Sequence, residues 1–311
     1  MPASDLGTRG CSSMGDARAR QIASLTGMPG CFNPNLTAPW QEIPMKYFAF
    51  LAMLGAGLAH GATCTNLPAG AEALGYTKTL FFSQPTIASV SATGNDTTSQ
   101  WYAGEPGHSQ SQNLAQREML STVNGQLAIP LGAAILSATR ASTAGATPLL
   151  DASKGFYVEF AMHLSGNDAD HFYGLYLIPV EHNAAKADHF AGDPVGYQRW
   201  TEIDVSESGY GPGSLATVIN WWGTYPQYGK QVLNSYGHNA ALDFTQEHRY
   251  GLSYDPVKAV LQWYVDDKPT WKEPATSLTK NFHYYLVIDS NTHGANKAYT
   301  MYMHYITAYT K

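Results

Sequence analysis

Residues 155–163 read Gly155-Phe-Tyr-Val-Glu-Phe-Ala-Met-His163, and their alternation decides the fold class. Phe156, Val158, Phe160 and Met162 fall on one side of an extended chain and Tyr157, Glu159, Ala161 and His163 on the other, because successive side chains of a strand change face. The first set reads as core. The second carries polar and aromatic groups and is expected to face solvent or substrate. Similar runs recur at 126–131, 172–178, 216–222 and 260–265, separated by clusters of Gly, Asn, Asp and Pro. Several short strands with turn residues between them indicate an all-β sandwich or barrel. The stretch 113–120 is expected to form a helical turn or two.

Composition agrees. Charged residues are 14% of the 311-residue chain, against 20 Tyr, 7 Trp and 11 Phe, so the common helix formers are scarce and the residues that fit pleated surfaces are plentiful. The formal net charge is −6, and no basic cluster lies beyond residue 62. Nucleic acid and anionic membrane surfaces, which need a positive face, are therefore not expected partners.

Met45-Lys46 precedes an apolar run at 47–59 and small residues to Ala62. A basic start, a short apolar core and a small-residue exit describe a cleaved secretory leader better than a membrane anchor. Residues 1–44 are then expected to be a non-native or disordered extension, 45–62 a signal peptide, and 63–311 a single secreted or periplasmic domain. Its one cysteine would be Cys64, so no internal disulfide could form and a substantial apolar core must hold it together.

The chemistry concentrates in Arg199-Trp-Thr-Glu-Ile-Asp-Val-Ser-Glu207, with three carboxylates within six positions of a β-patterned segment. On a regular strand Glu202 and Asp204 share a face and Glu207 takes the other. A β-bulge near Val205 or Ser206 would bring Glu207 back beside them, with Ile203 and Val205 in the core. Crowded like charges push pKa values apart, so one acid could stay protonated while another is ionised. His163, His171, His182, His248 and His304 show no metal-ligand spacing, and no metal site is expected. His248 is expected to support a strand.

Glu202-Ile-Asp-Val-Ser-Glu207 resembles the E-x-D-x-x-E signature of glycoside hydrolase family 16. Other landmarks follow in order: the strand at 155–164, His248-Arg-Tyr-Gly-Leu-Ser-Tyr-Asp-Pro256, Leu261-Gln-Trp-Tyr-Val-Asp-Asp267 with Asp267 where the family usually has Gly, and the closing strand at 301–309. The resemblance implies a concanavalin A-like jelly-roll β-sandwich of two antiparallel sheets. It further implies a retaining endo-glycosidase of the laminarinase and β-glucanase kind, with Glu202 as nucleophile, Asp204 hydrogen-bonding it, and Glu207 as acid/base. Its substrate would be a β-linked polysaccharide, first a β-1,3- or mixed β-1,3/1,4-glucan. A galactan of the agar or carrageenan type is the next choice, and a non-catalytic lectin-like sandwich the rival from another class. No cofactor is required, the family admits a structural calcium, and a monomer is expected.

Four strand steps at about 3.3 Å each separate the two glutamates by about 13 Å. Retaining enzymes hold their carboxyls about 5 to 5.5 Å apart, so sheet curvature and side-chain lean must close the gap. Sugar rings also need aromatic faces. In Asn220-Trp-Trp-Gly-Thr-Tyr225, Asn220 and Trp222 share one face of a strand and Trp221 takes the other. The family's aromatic strand at this place makes Trp222 and Tyr225 the expected sugar contacts and Asn220 a polar one. Trp200, on the face of Glu202 by alternation, is a further candidate.

Overall fold

An isolated strand leaves its main-chain N–H and C=O groups without partners, and in the computed structural model neighbouring strands satisfy them in two sheets. The structure describes residues 67–91, 98–106, 110–138, 146–167, 171–183, 191–208, 213–224, 227–237, 242–291 and 297–311. The expected extension at 1–44, the leader at 45–62, Cys64 and Tyr225 lie outside the described residues.

One sheet runs Lys268–Pro274, Val260–Val265, His248–Asp255, Phe156–Leu164, Thr300–Thr310, Gln126–Pro130, Ser121–Val123, with Lys78–Ser83 also paired to Thr300–Thr310. The other runs Gln227–Gly237, Leu215–Thr224, Tyr197–Glu207, Phe172–Pro179, His283–Asn291, Ala134–Leu136, Trp101–Ala103, Val90–Ser91, with Leu150–Asp151 also paired to His283–Asn291. Pairing among the described residues is antiparallel apart from the two-residue match of Val90–Ser91 with Trp101–Ala103. The architecture is an all-β sandwich, one of the two forms the alternating runs allowed, and of the jelly-roll kind that the resemblance implied. The helix Gln110–Met119 lies where a turn or two was expected.

The core fills the space between the sheets. Phe156, Val158, Phe160, Leu252, Trp263, Met303 and Ile306 from the first meet Leu175, Leu177, Ile203, Val205, Val218, Leu286 and Ile288 from the second, all buried. Each such side chain contributes about 1.5–3 kcal/mol on burial.

The second face of strand Phe156–Leu164 departs from expectation. Tyr157, Glu159 and Ala161 are buried, neither solvent-facing nor substrate-facing. Ala71, from the short helix Ala69–Ala73, packs with Tyr76, Tyr157, Tyr264 and Tyr309 over that face. Glu159 tolerates this because Tyr157 and Tyr305 donate hydroxyl hydrogen bonds to it at 3.0 and 2.8 Å. Alternation separated the two faces correctly, but a segment distant in sequence supplied the second cover.

The hairpin joining Val260–Val265 to Lys268–Pro274 turns through Asp266 and Asp267 at φ 50° and 64°. Both central residues of such a turn need positive φ, a conformation Asp tolerates. Asp266 receives His248 Nδ1 at 2.8 Å, so His248 does brace a strand, while Asp267 accepts the Ala69 main-chain N–H at 3.1 Å and pairs with Arg249. Those contacts are what Asp267 adds where a Gly would only turn the chain.

Gly155, which opens the 155–163 run, is held at φ 78°, and an added Cβ would lie 2.7 Å from Pro256 Cδ and 2.8 Å from the Tyr254 carbonyl. Gly155→Ala is therefore expected to lower unfolding free energy by about 2 kcal/mol or more in urea denaturation. A change under about 0.5 kcal/mol would show that the turn relaxes freely.

Candidate active site

Strand Tyr197–Glu207 lies between Phe172–Pro179 and Leu215–Thr224, and its register breaks where the acids require it. Asp204 faces Tyr176 and Ser206 faces Leu175, so two steps on one strand match one step on its neighbour. On the other side Asp204 faces Thr217 and Glu207 faces Leu215, three steps against two. This is a β-bulge at Val205–Ser206. Ile203, Val205 and Ser206 turn toward the core, where the Ser206 hydroxyl meets Tyr173 Oη at 2.8 Å. Glu202, Asp204 and Glu207 share the opposite face. The indole N–H of Trp263 donates to the Asp204 carbonyl at 2.9 Å from the core side, giving that group a partner where the ladder is irregular.

Cross-strand pairing completes the acid-bearing face. Trp200 faces Trp221 and Glu202 faces Ile219, so Trp221 stands on the same face as the acids. Its indole Nε1–H donates to Glu202 Oε2 at 2.6 Å, and Lys230 Nζ lies 5.4 Å from its ring centroid. Trp200 stacks against Trp221 at 5.7 Å and is covered by His182, whose ring lies 3.5 Å from its own, and by the edge of Tyr228. At 6% exposure Trp200 buttresses Trp221 and offers no open ring face of its own.

A fourth carboxylate joins the cluster. Gly174 pairs with Glu207 on one side and with Asp289 on the other, which sets the two acids across a residue without a side chain. A Cβ at Gly174 would come within 2.8 Å of Asp289 Oδ1. Tyr176 donates its hydroxyl to Asp289 Oδ2 at 2.9 Å.

The electrostatics follow from this crowding. Burial, then the charges of Glu202 and Asp289, push Glu207 up to about 8, with Lys230 acting the other way. Glu202 is also raised by burial, but the Trp221 N–H and Lys230 draw it back. Asp204, fully buried, is held well above the usual carboxylate range by burial and by Glu207, Glu202 and Asp289. Neither of its oxygens has a hydrogen-bond partner among the described residues, so the expected hydrogen bond to Glu202 is not made. An unpartnered carboxyl in such a place is neutral, because its ion would be stranded without solvation.

Asn220 and Trp222 do not join the acids. They pair with Thr201 and Arg199 on the reverse face, where the Thr201 hydroxyl donates to Asn220 Oδ1 at 3.2 Å. Of the aromatic candidates the sequence offered, the structure places Trp200 beside the acids but buries it, turns Trp222 away, and does not describe Tyr225. Trp221 and Asp289 are the residues sequence reasoning missed. Asp289 left a signal, an acid placed directly after the apolar run 284–288; Trp221 needed the register of its neighbour. Among the described residues no group of three or more His, Cys, Asp and Glu is placed to hold a metal ion. No described helix is long and apolar enough to cross a membrane.

Fold and site together define an antiparallel sandwich with a confined carboxylate cluster on one sheet face. No protein-family model matches the chain, and no curated protein matches it in sequence. Solved structures similar to it include a Thermotoga maritima laminarinase catalytic domain, at 15% identity over 62% of this chain and 80% of that one, TM-score 0.40. A glycoside hydrolase family 16 endo-glucanase from Bacteroides ovatus matches at 13% identity over 74% and 99%, TM-score 0.46. The kappa-carrageenase of Pseudoalteromonas carrageenovora matches at 13% over 62% and 83%, TM-score 0.43.

Asp289→Asn removes one of the like charges facing Glu207 while keeping the acceptor for Tyr176. Carbon-detected NMR titration of the side-chain carboxyls is expected to place Glu207 below its wild-type value of about 8. An unchanged Glu207 titration would mean that the two carboxyls do not sense each other.

Proposed function

We propose that this chain is a retaining glycoside hydrolase acting on a β-linked polysaccharide, with Glu202 as nucleophile and Glu207 as acid and then base. One observation carries the reading: the bulge sets both glutamates on one face, where an indole N–H and Lys230 draw Glu202 down while the charges of Glu202 and Asp289 push Glu207 up. Glu207, raised to about 8, holds a proton at neutral pH. Glu202 accepts an indole N–H that stabilises its ionised form. That is the division of labour double displacement needs.

In the first step Glu207 gives its proton to the glycosidic oxygen as the bond from that oxygen to the anomeric carbon breaks. The Glu202 carboxylate attacks the same carbon and forms a glycosyl ester. In the second step Glu207, now ionised, takes a proton from water; the water oxygen bonds to the anomeric carbon, and Glu202 leaves as a carboxylate. Asp204, neutral and buried between them, adds no charge that would raise Glu202 further. Trp221 carries a half-exposed ring next to the nucleophile and is the aromatic surface best placed for a sugar. The sequence resemblance supports a β-1,3- or mixed β-1,3/1,4-glucan as substrate, and the leader pattern at 45–62 supports export.

Laminarin, lichenan, agar and carrageenan, each incubated with wild type, Glu202→Gln and Glu207→Gln, test the proposal by release of reducing ends. Cleavage of at least one glycan is expected, with either substitution lowering kcat/KM by a factor of about 10³ or more. Its kcat/KM should fall as pH rises through about 8, where Glu207 loses its proton. Sugar binding without cleavage of any of the four would favour a lectin instead.

Stability supplies a separate check. The folded-state value of Glu207 lies above the unfolded value of about 4.3. Its contribution is therefore complete below the unfolded value and is lost as pH rises through about 8. Glu207→Gln is accordingly expected to raise Tm relative to wild type above about pH 8 and to leave it nearly unchanged below about pH 4. An equal Tm difference at both ends would mean that the charge of Glu207 is not what strains the fold.

A further inference from the structure

The reverse face of the acid-bearing sheet holds a recess of about 600 Å³, within the range of small-molecule sites. Tyr197, Arg199, Asn220, Trp222 and Gln231 form its sheet wall together with part of Trp221, whose indole N–H is committed to Glu202 on the other face, and the connection at 276–281 faces them. Arg199 pairs with Trp222 and Asn220 with Gln231, so this wall is one cross-strand patch alternating with the face of Trp200, Glu202 and Trp221. Trp222 is anchored: a Cβ on Gly229 would fall 2.8 Å from its Nε1, so the indole lies against bare main chain and stays half-exposed on its other side.

Several polar groups converge here with donors or acceptors to spare. Asn220 Oδ1 is occupied by Thr201, which leaves its NH₂ to donate. Among the described residues neither that amide nor the side chains of Gln231, Asn281 and Trp222 have a hydrogen-bond partner. The charge is already cancelled, because Arg199 binds Asp193 through Nη2 at 2.9 Å and Nε at 3.1 Å. An anion would have to displace Asp193, and an apolar ligand would strand several amides. A flat aromatic face ringed by uncharged donors and acceptors suits a neutral polyhydroxylated ring.

We propose that this recess is a second saccharide site, separate from the acids, which takes neutral pyranose units of a β-linked glycan. Trp222 supplies the stacking face and Asn220, Gln231 and Asn281 the hydroxyl contacts. Tethering a polymer here raises its effective concentration at the sheet that carries the acids. The assignment leans on the hydrolase reading only for the choice of glycan.

Calorimetric titration of the Glu207→Gln protein with laminarihexaose and with agarohexaose tests it without turnover. With at least one of these neutral probes, two sites per chain are expected. Trp222→Ala and, separately, the exposed-site change Gln231→Ala should each weaken one of them by about tenfold or more, the loss of one stacking or hydrogen-bonding contact. The affinity of the other site should be unaltered. A single site with both probes, or two sites that ignore both substitutions, overturns the proposal. Binding of an anionic carrageenan hexasaccharide here in preference to the neutral probes overturns the ligand class. Recess binding without any acid-dependent cleavage would sink the hydrolase reading and leave this site standing; cleavage without a second site would do the reverse.

Discussion

One extra residue in strand Tyr197–Glu207 decides what its sheet can present. Without the bulge at Val205–Ser206, Glu207 would project into the core among Leu175, Leu177 and Val218, where a carboxylate finds no solvation. With it, Val205 and Ser206 both turn inward and Glu207 rejoins Glu202 and Asp204. Trp263 makes the irregularity tolerable by donating to the Asp204 carbonyl from the opposite sheet. The packing of the sandwich and the disposition of the acids are therefore tied together through one indole N–H.

Confinement then does the chemical work. Four carboxyls lie on the two strands that flank Phe172–Pro179, with Lys230 as the cation that acts on three of them. Negative charge cannot reside on all four at once in so poorly solvated a place, and local hydrogen bonding selects where it goes. Glu202 is raised by burial, and its N–H donor from Trp221 offsets part of that rise. Glu207 lies across Gly174 from Asp289 and keeps its proton. Gly174 matters here for the space it leaves, since a side chain at that position would occupy the gap across which Glu207 and Asp289 face each other.

The same sheet is used on both sides. Trp221 and Trp222 are adjacent in sequence and turn to opposite faces, one to Glu202 and the other to the recess beside Arg199. Alternation assigned this split correctly, yet Trp222 was the residue expected at the acids. What was missing was the register between Leu215–Thr224 and Tyr197–Glu207, which pairs Trp200 with Trp221 and Arg199 with Trp222. Shifting that pairing by one residue would exchange the two tryptophans.

By itself the sequence determined the all-β class, the core face of Phe156–Leu164 and the need for a bulge between Asp204 and Glu207. Each of these follows from local periodicity, which a short stretch of chain carries in full. Only the tertiary structure decided that Tyr157 and Glu159 are covered, that Trp200 is buried under His182, that Asp289 completes the acid cluster, and that Asn220 and Trp222 belong to a separate recess. Those outcomes depend on which distant strands become neighbours and in what register. Register is set by the packing of the whole sandwich, and no single strand encodes it.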